Sequence, residues 1–391
     1  MSQFDKVWDR SNSQSMKWDG VDRLYGGEDL WPMWVADMDF KAPEEVITAL
    51  RKRVDHGIFG YPNKTESLDI AVIEWLEKRY RWNVTKGDIT YTSGVVPAIH
   101  QLILAFTNKQ DKIIIQPPVY YPFFKVVTNN DRTLVENPLQ FDGTQYHMDF
   151  EHLESVIDSK TKMLILCSPH NPVGRVWTEE ELQRLATICI KHDLLLISDE
   201  IHADLIFKNH THTSIATLSD EIAKRTFTCL APSKTFNLAG IQASFVVTTN
   251  NDLKRKFDHQ LSQQFLNMTN NFSSVATEAS YRHGESWLEE LILYVMDNVK
   301  VASDYISQYM PKIKIVQPQG TYLIWLDCSE LEMTSTERKK WWRDEAKVAL
   351  SHGIVFGKEG EAFERINLAC PKEILLEGLS RMRKAYEKRF N

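Results

Sequence analysis

Ala231-Pro232-Ser233-Lys234-Thr235-Phe236-Asn237-Leu238-Ala239-Gly240 follows the apolar run Thr226 to Leu230, which has the length and character of a strand. A lysine just past a strand end, among small residues that let a planar group come close, is placed for chemistry. A lone lysine is ordinarily a solvated surface charge, so this placement counts only if other stretches supply what its amine would need.

Three stretches do. Ser198-Asp199-Glu200-Ile201-His202 follows Leu194 to Ile197, a short apolar segment with the pattern of a strand buried on both faces. A carboxylate at its end sits where open α/β sheets bind ligands and is suited to holding a pyridine nitrogen protonated. Ser168-Pro169-His170-Asn171-Pro172-Val173-Gly174 follows the apolar run Met163 to Cys167, and its Pro-flanked Asn171 can donate to an anionic ring oxygen. Thr92-Ser93-Gly94-Val95-Val96-Pro97-Ala98 reads as a strand end, a Gly turn and a first helical turn, whose free N–H groups suit a phosphate. A lysine, an acid, an amide donor and a phosphate seat are what a lysine-anchored pyridoxal 5′-phosphate requires.

In these four stretches and their order the chain resembles the fold type I pyridoxal-phosphate enzymes. Met33-Trp34-Val35-Ala36-Asp37-Met38-Asp39-Phe40, Phe59-Gly60-Tyr61-Pro62, Pro117-Pro118-Val119-Tyr120, Asp199-Glu200-Ile201-His202 and Ser233-Lys234-Thr235-Phe236-Asn237 narrow this to the MalY/PatB-type cysteine-S-conjugate β-lyases, from about Phe4 to Arg383. The resemblance implies an α/β aminotransferase-like fold: a large domain with a mainly parallel sheet (45–285), a smaller α+β domain (286–391) and an N-terminal arm (1–44) joining the latter. It implies that Lys234 carries the cofactor and removes the substrate's α-proton, that Asp199 holds the ring nitrogen protonated, and that His202 packs near the ring. An aromatic side chain after the strand Lys112 to Gln116 can stack on the ring. The residues leave Tyr120 and Tyr121 open for this role; the resemblance assigns Tyr120 to the ring and turns Tyr121 toward substrate. Ser233, Val95 and Val96 are implied to hold the phosphate with Tyr61, which reaches across from a second subunit and so requires a homodimer. Backbone near Ala36, the side chain of Asn171 and the guanidinium of Arg365 are implied to hold the amino acid substrate. In one respect the chain departs from many aminotransferases of the superfamily: Gln242 lies where they carry an Arg for the phosphate. This counts against a standard transaminase.

The expected activity is α,β-elimination from L-cystathionine or another L-cysteine S-conjugate, giving a thiol, pyruvate and ammonia, with Lys234 or Tyr121 protonating the departing thiolate. The alternative is a class I/II aminotransferase, distinguished by its need for a keto-acid acceptor. A regulatory protein using the fold as a partner surface is a further alternative, disfavoured because it leaves the catalytic set without use.

Composition bounds these expectations. A chain of 391 residues exceeds one compact core, so two lobes are expected. Its 43% hydrophobic and 25% charged residues are those of an ordinary globular protein, and a net charge of −7 argues against a nucleic-acid partner. Arg338-Lys339-Lys340, followed by Trp341 and Trp342, is the densest basic run and reads as a solvated helix face. Five scattered cysteines, no apparent signal peptide and no apolar run of membrane-spanning length predict a reduced, cytoplasmic protein with no membrane association. His202, His210 and His212 with Glu200 invite a metal, but His210 to Thr213 reads as a mobile turn and no metal is expected.

Along the chain, the four Trp of the first 41 residues predict an arm packed on the body. Leu68, Ala71, Val72, Trp75 and Leu76 share a helix face, and Thr178 with Glu181 forms a capping box. Beyond Gly284, Trp287 to Met310 reads as one long helix. Strands Ile313 to Val316 and Thr321 to Leu326, a helix to about Leu350, a strand Glu364 to Ala369 and a final helix follow.

Overall fold

A computed structural model describes residues 2–390. The large sheet has seven strands in the order Ile89–Thr92, Ser244–Val247, Thr226–Leu230, Leu195–Asp199, Thr161–Cys167, Lys112–Ile115 and Thr133–Glu136. Ser244–Val247 runs against both neighbours, and the other pairings are parallel. The central strands are apolar throughout because helices cover both faces. Met163 and Ile165 share a core with Ile99 and Leu102 of helix Val95–Phe106, while Leu164 and Leu166 share one with Leu182 and Leu185 of helix Glu179–Lys191. Alternation of side chains along a strand thus feeds two cores from one run. Because every strand but Ser244–Val247 runs in the same direction, the residues after Thr92, Ile115, Cys167 and Leu230, and Asp199 itself, emerge at one end of the sheet.

The second lobe is built on the antiparallel order Lys314–Val316, Leu323–Asp327, Phe363–Asn367, Ser351–His352. Helices Glu285–Tyr309 and Lys372–Phe390 pack in its core. The N-terminal segment is anchored there by Trp31–Pro32, which pairs in parallel with Val348–Ala349, and by the Trp31 indole N–H, donated to the Ile374 carbonyl at 3.0 Å. Phe4 packs edge-on against Phe40 and Trp287. The expected helix to Leu350 stops earlier, at Asp344: Lys347 takes a left-handed φ of 54° and Val348–Ala349 are committed to pairing with the arm.

The basic run is also not the solvated face it resembles. Lys339 and Lys340 are exposed, but Arg338 is 1% exposed and lies on the same helix face as the buried Trp341 and Trp342, three and four residues on. Its Nε donates to Glu364 Oε1 at 3.1 Å, and its Nη atoms donate to the Met333 and Glu361 carbonyls. Among the described residues no helix is long and apolar enough to cross a membrane. Arg338→Ala, which takes the guanidinium from the buried Glu364 and leaves it His352 alone, should destabilise the protein by about 3–5 kcal/mol and lower its thermal midpoint. Lys339→Ala and Lys340→Ala should each change it by less than about 0.5 kcal/mol.

Candidate active site

Lys234 lies in the one-turn helix Pro232–Thr235. The turn is fastened from behind by Asp204, which accepts the Thr235 hydroxyl at 2.8 Å, the Trp75 indole N–H at 3.1 Å and the Tyr80 hydroxyl. The lysine amine donates to the Ala36 carbonyl at 2.7 Å. Burial, helped by the charge of Arg365, lowers its pKa to about 8, against the opposing pull of Asp37 and Asp199.

Asp199 ends the central strand, 3% exposed, with Cys167 and Cys229 opposite it on the two flanking strands. Its carboxylate accepts one hydrogen bond, from Ile201 N–H at 3.2 Å, and desolvation raises its pKa to about 7. His202, buried and without a partner at Nδ1, is lowered to about 3 by desolvation and by the nearby Lys234 and Arg365, and so is neutral.

Arg365 comes from the small lobe, 4% exposed. Its Nη1 donates to Asn171 Oδ1 at 2.9 Å, its Nη2 to the Trp34 carbonyl and Ser351 Oγ at 3.0 Å each, and its Nε has no partner. Desolvation lowers its pKa to about 10, with the Phe356 ring 4.8 Å away. Because Arg365 occupies the Asn171 oxygen, the Asn171 amide nitrogen is left as a donor.

Val95 and Val96 open a helix whose first residue follows Gly94, which offers no side-chain cap, so their N–H groups have no intrahelical acceptor. Ser233 adjoins Lys234, partly buried. Tyr120 is largely buried near Asp199 and Cys167, its pKa raised by desolvation, and Tyr121, 43% exposed, packs between Tyr120 and Phe356. Tyr61 stands apart, 92% exposed on a surface loop. Gln242 is exposed, with a left-handed φ of 57°.

The histidines do not converge. His210 is exposed, whereas His212 is buried and bonded to Glu200 Oε2 at 2.8 Å, with Ser198 and Ser214 filling Glu200 Oε1 at 2.8 and 3.0 Å. His210 to Thr213 is thus not the mobile turn its sequence suggests: it is pinned at His212 by Glu200, a buried acid that needs partners of its own. Among the described residues no group of three or more His, Cys, Asp or Glu could hold a metal ion.

Several residues around the site escape motif reading of the sequence. Asn237, at φ 57°, receives Met38 N–H at 2.9 Å and donates to the Met38 and Phe40 carbonyls at 3.0 and 2.8 Å. Tyr322 donates to the Ala36 carbonyl, and Ser351 supports Arg365. Asn367 donates to the Val35 and Asp37 carbonyls at 2.7 and 2.6 Å. It lies two residues after Arg365 on the same strand, so period-two alternation was a usable signal for it.

The class I and II aminotransferase profile matches residues 33–382, and the chain belongs to that family. Cystathionine beta-lyase PatB of Bacillus subtilis is 42% identical over 98% of this chain and 99% of its own. Among solved structures, cystalysin from Treponema denticola, which contains pyridoxal 5′-phosphate, aligns with TM-score 0.95 and 37% identity over 98% of each chain. A pyridoxal-phosphate-bound chain from Clostridium difficile 630, provisionally described as an aminotransferase, aligns with TM-score 0.96 and 46% identity over 98% of this chain and 99% of its own. Within the family, this chain falls with the pyridoxal-phosphate-dependent carbon–sulfur lyases.

The side chains fit that cofactor. A buried carboxyl with a single N–H donor, an unpartnered His202 Nδ1 and an amine already shifted toward its neutral form are unfavourable arrangements unless a polar, cationic ring completes them. In cofactor-free protein, Lys234 should react with an amine-labelling reagent with a midpoint near pH 8, followed by peptide mapping against pH. A midpoint at the ordinary lysine value, near 10.5, would show a solvated amine.

Proposed function

We propose that this chain catalyses α,β-elimination from L-cysteine S-conjugates, L-cystathionine among them, to a thiol, pyruvate and ammonia, with pyridoxal 5′-phosphate held on Lys234. One observation carries the assignment: the Lys234 amine and the buried Arg365 guanidinium converge on the arm carbonyls of Ala36 and Trp34, Arg365 also reaching Asn171, with the buried Asp199 carboxyl acting on the same amine. Their separate burial costs are sustained only at a site that uses all three.

When bound, the cofactor's protonated ring draws in the electron pair left on the substrate's α-carbon, which allows a β-thiolate to depart. In this assignment Arg365 presents its planar fork to the substrate carboxylate beside Asn171, with the arm backbone near Ala36 closing that side. The Lys234 amine takes the α-proton. Asp199 holds the proton on the ring nitrogen, Tyr120 lies against the ring, and His202 packs beside it as a neutral group. Val95 and Val96 N–H, with the Ser233 hydroxyl, receive the phosphate. Lys234 or Tyr121 returns a proton to the leaving sulfur. Elimination is supported over transamination by the cystathionine β-lyases among the relatives, and Gln242 in place of an Arg agrees with that preference.

The same assignment divides the chain into an arm (1–44), a cofactor domain (45–285) and a small domain (286–391). It makes the active unit a homodimer in which Tyr61 reaches the partner's phosphate. Support comes from exposed apolar side chains: Ile58, Phe59, Phe265 and Met268 are each more than half exposed, and the Tyr61 loop is held to the helix Asn271–His283 by Asn271, which donates to the Gly60 carbonyl at 2.8 Å. A cytoplasmic site of action is supported by five buried, unpaired cysteines.

Incubated with cystathionine and a panel of S-alkyl and S-aryl cysteines, without any keto acid, the protein should release pyruvate and thiol in equal amounts. Lys234→Ala should lower the rate by at least about 10²–10⁴-fold. Release of neither product from any member of the panel would end the lyase assignment, and turnover only with a keto acid would replace it by transamination. Sedimentation should give twice the 45.4 kDa chain mass. Mixing and re-equilibrating inactive Lys234→Ala and Tyr61→Ala chains should restore activity, because one site of each hybrid is intact. A mixture that stays inactive while forming hybrids would remove Tyr61 from its cross-subunit role.

A further inference from the structure

Three parts of the chain distant in sequence meet at one oxygen atom. The Ala36 carbonyl, from the arm, accepts the Lys234 amine of the large lobe at 2.7 Å and the Tyr322 hydroxyl of the small lobe at 3.1 Å. Tyr322 is 1% exposed and its ring stands edge-on to His202 at 5.9 Å. Its backbone is held just as closely: the Tyr322 carbonyl accepts Leu368 N–H at 2.8 Å. The preceding Thr321 adopts a left-handed φ of 67° and donates its N–H to Leu205 at 2.7 Å. A β-branched residue in that conformation is unfavourable, so the turn that aims Tyr322 is maintained by the contacts around it.

A carbonyl oxygen has two lone pairs, and here each has a donor. The amine gives a hydrogen to Ala36 and keeps its own lone pair available, as a base must. The acceptor is neutral, so it favours the ammonium form less than a carboxylate in its place would. Since Tyr322 already draws on that oxygen, the amine is held there more weakly than it would be as the sole donor.

We propose that Tyr322 is a positioning residue for Lys234: its hydroxyl fixes the Ala36 carbonyl as the resting place of the lysine amine whenever that amine is free, and loosens the contact so the amine can leave it for the substrate's α-proton. This rests on the assignment of Lys234 as the base. In the transfer, the α-carbon loses its hydrogen as a proton, the Lys234 nitrogen gains it, and the electron pair stays with the substrate.

The sign of the effect follows. Without the Tyr322 hydroxyl, Lys234 becomes the only donor to Ala36, and the ammonium, the stronger donor, gains more than the amine. Lys234 then stays protonated to higher pH. The other groups facing the amine are Asp37 from the arm, Asp199 and His202 from the strand end and Arg365 from the small lobe, and the substitution leaves all of them in place.

The test uses cofactor-loaded enzyme carrying Tyr322→Phe or Tyr322→Leu, with kcat and KM measured across pH and the visible band of the cofactor titrated alongside. For Tyr322→Phe, kcat should fall about five- to tenfold with little change in KM. The limb of kcat that rises with pH should move upward by up to about one unit, with the intensity of the visible band retained. Tyr322→Leu should show the same displacement of the limb. Wild-type kcat and limb in Tyr322→Phe would overturn the proposal, as would a defect confined to Tyr322→Leu, which would mark the ring as packing. Loss of the visible band in Tyr322→Phe would also overturn it, by placing the residue in the cofactor seat. A Lys234→Ala control separates the two levels: turnover by that variant removes the base itself, while an inactive control beside an unaltered Tyr322→Phe removes only the positioning role.

Discussion

Removing the Asp199 carboxyl from water is the constraint on which the rest of the site depends. Its place at the end of a strand with neighbours on both sides, flanked by two cysteines, denies it solvent and leaves it a single backbone donor. Ionised, such a group is costly unless something cationic comes to it, and burial accordingly raises its pKa. The mainly parallel sheet puts that need at the end where the loop of Asn171, the helix of Val95 and the turn of Lys234 also emerge, so the topology gathers the partners and the carboxyl rewards their arrival.

The arm makes the arrangement rigid without secondary structure of its own at the critical point. Every carbonyl from Trp34 to Met38 is taken by a side chain from elsewhere: Arg365 and Ser351, then Asn367, then Lys234 and Tyr322, then Asn367 and Lys17, then Arg10 and Asn237. Asp39 beside them, 3% exposed, receives Arg10, Lys17 and the Trp18 indole at 2.6, 2.7 and 2.8 Å. Buried polar groups that are fully paired specify one geometry, because any displacement leaves one of them unpaired. An irregular backbone can therefore serve as one wall of the cleft.

Much of this was legible in the chain itself. Strands such as Ile89–Thr92 and Thr226–Leu230, the capping box at Thr178 and the long helix ending near Pro311 follow from hydrophobic runs and punctuation, which act over a few residues. Lys234, Asp199 and the Gly94 turn stood out because each lies at the end of such an element. What stayed hidden depends on which distant surfaces meet. Nothing near Arg338 signals that Glu364 waits for it, and nothing near His212 signals that Glu200 does. Tyr322 and Asn237 matter through an arm some two hundred or more positions earlier in the chain. Arg365 was recoverable only by resemblance, since a strand arginine is otherwise unremarked.

The strand Phe363–Asn367 carries two opposed tasks on adjacent residues. Glu364 turns inward to Arg338 and His352, while Arg365 turns outward to Asn171 and the arm. Since neighbouring side chains point to opposite faces, inserting or deleting one residue upstream in this strand would send the acid to the cleft and the cation to the lobe's interior. Length variation is therefore barred at this strand by charge as well as by shape, and insertions between relatives would have to accumulate elsewhere.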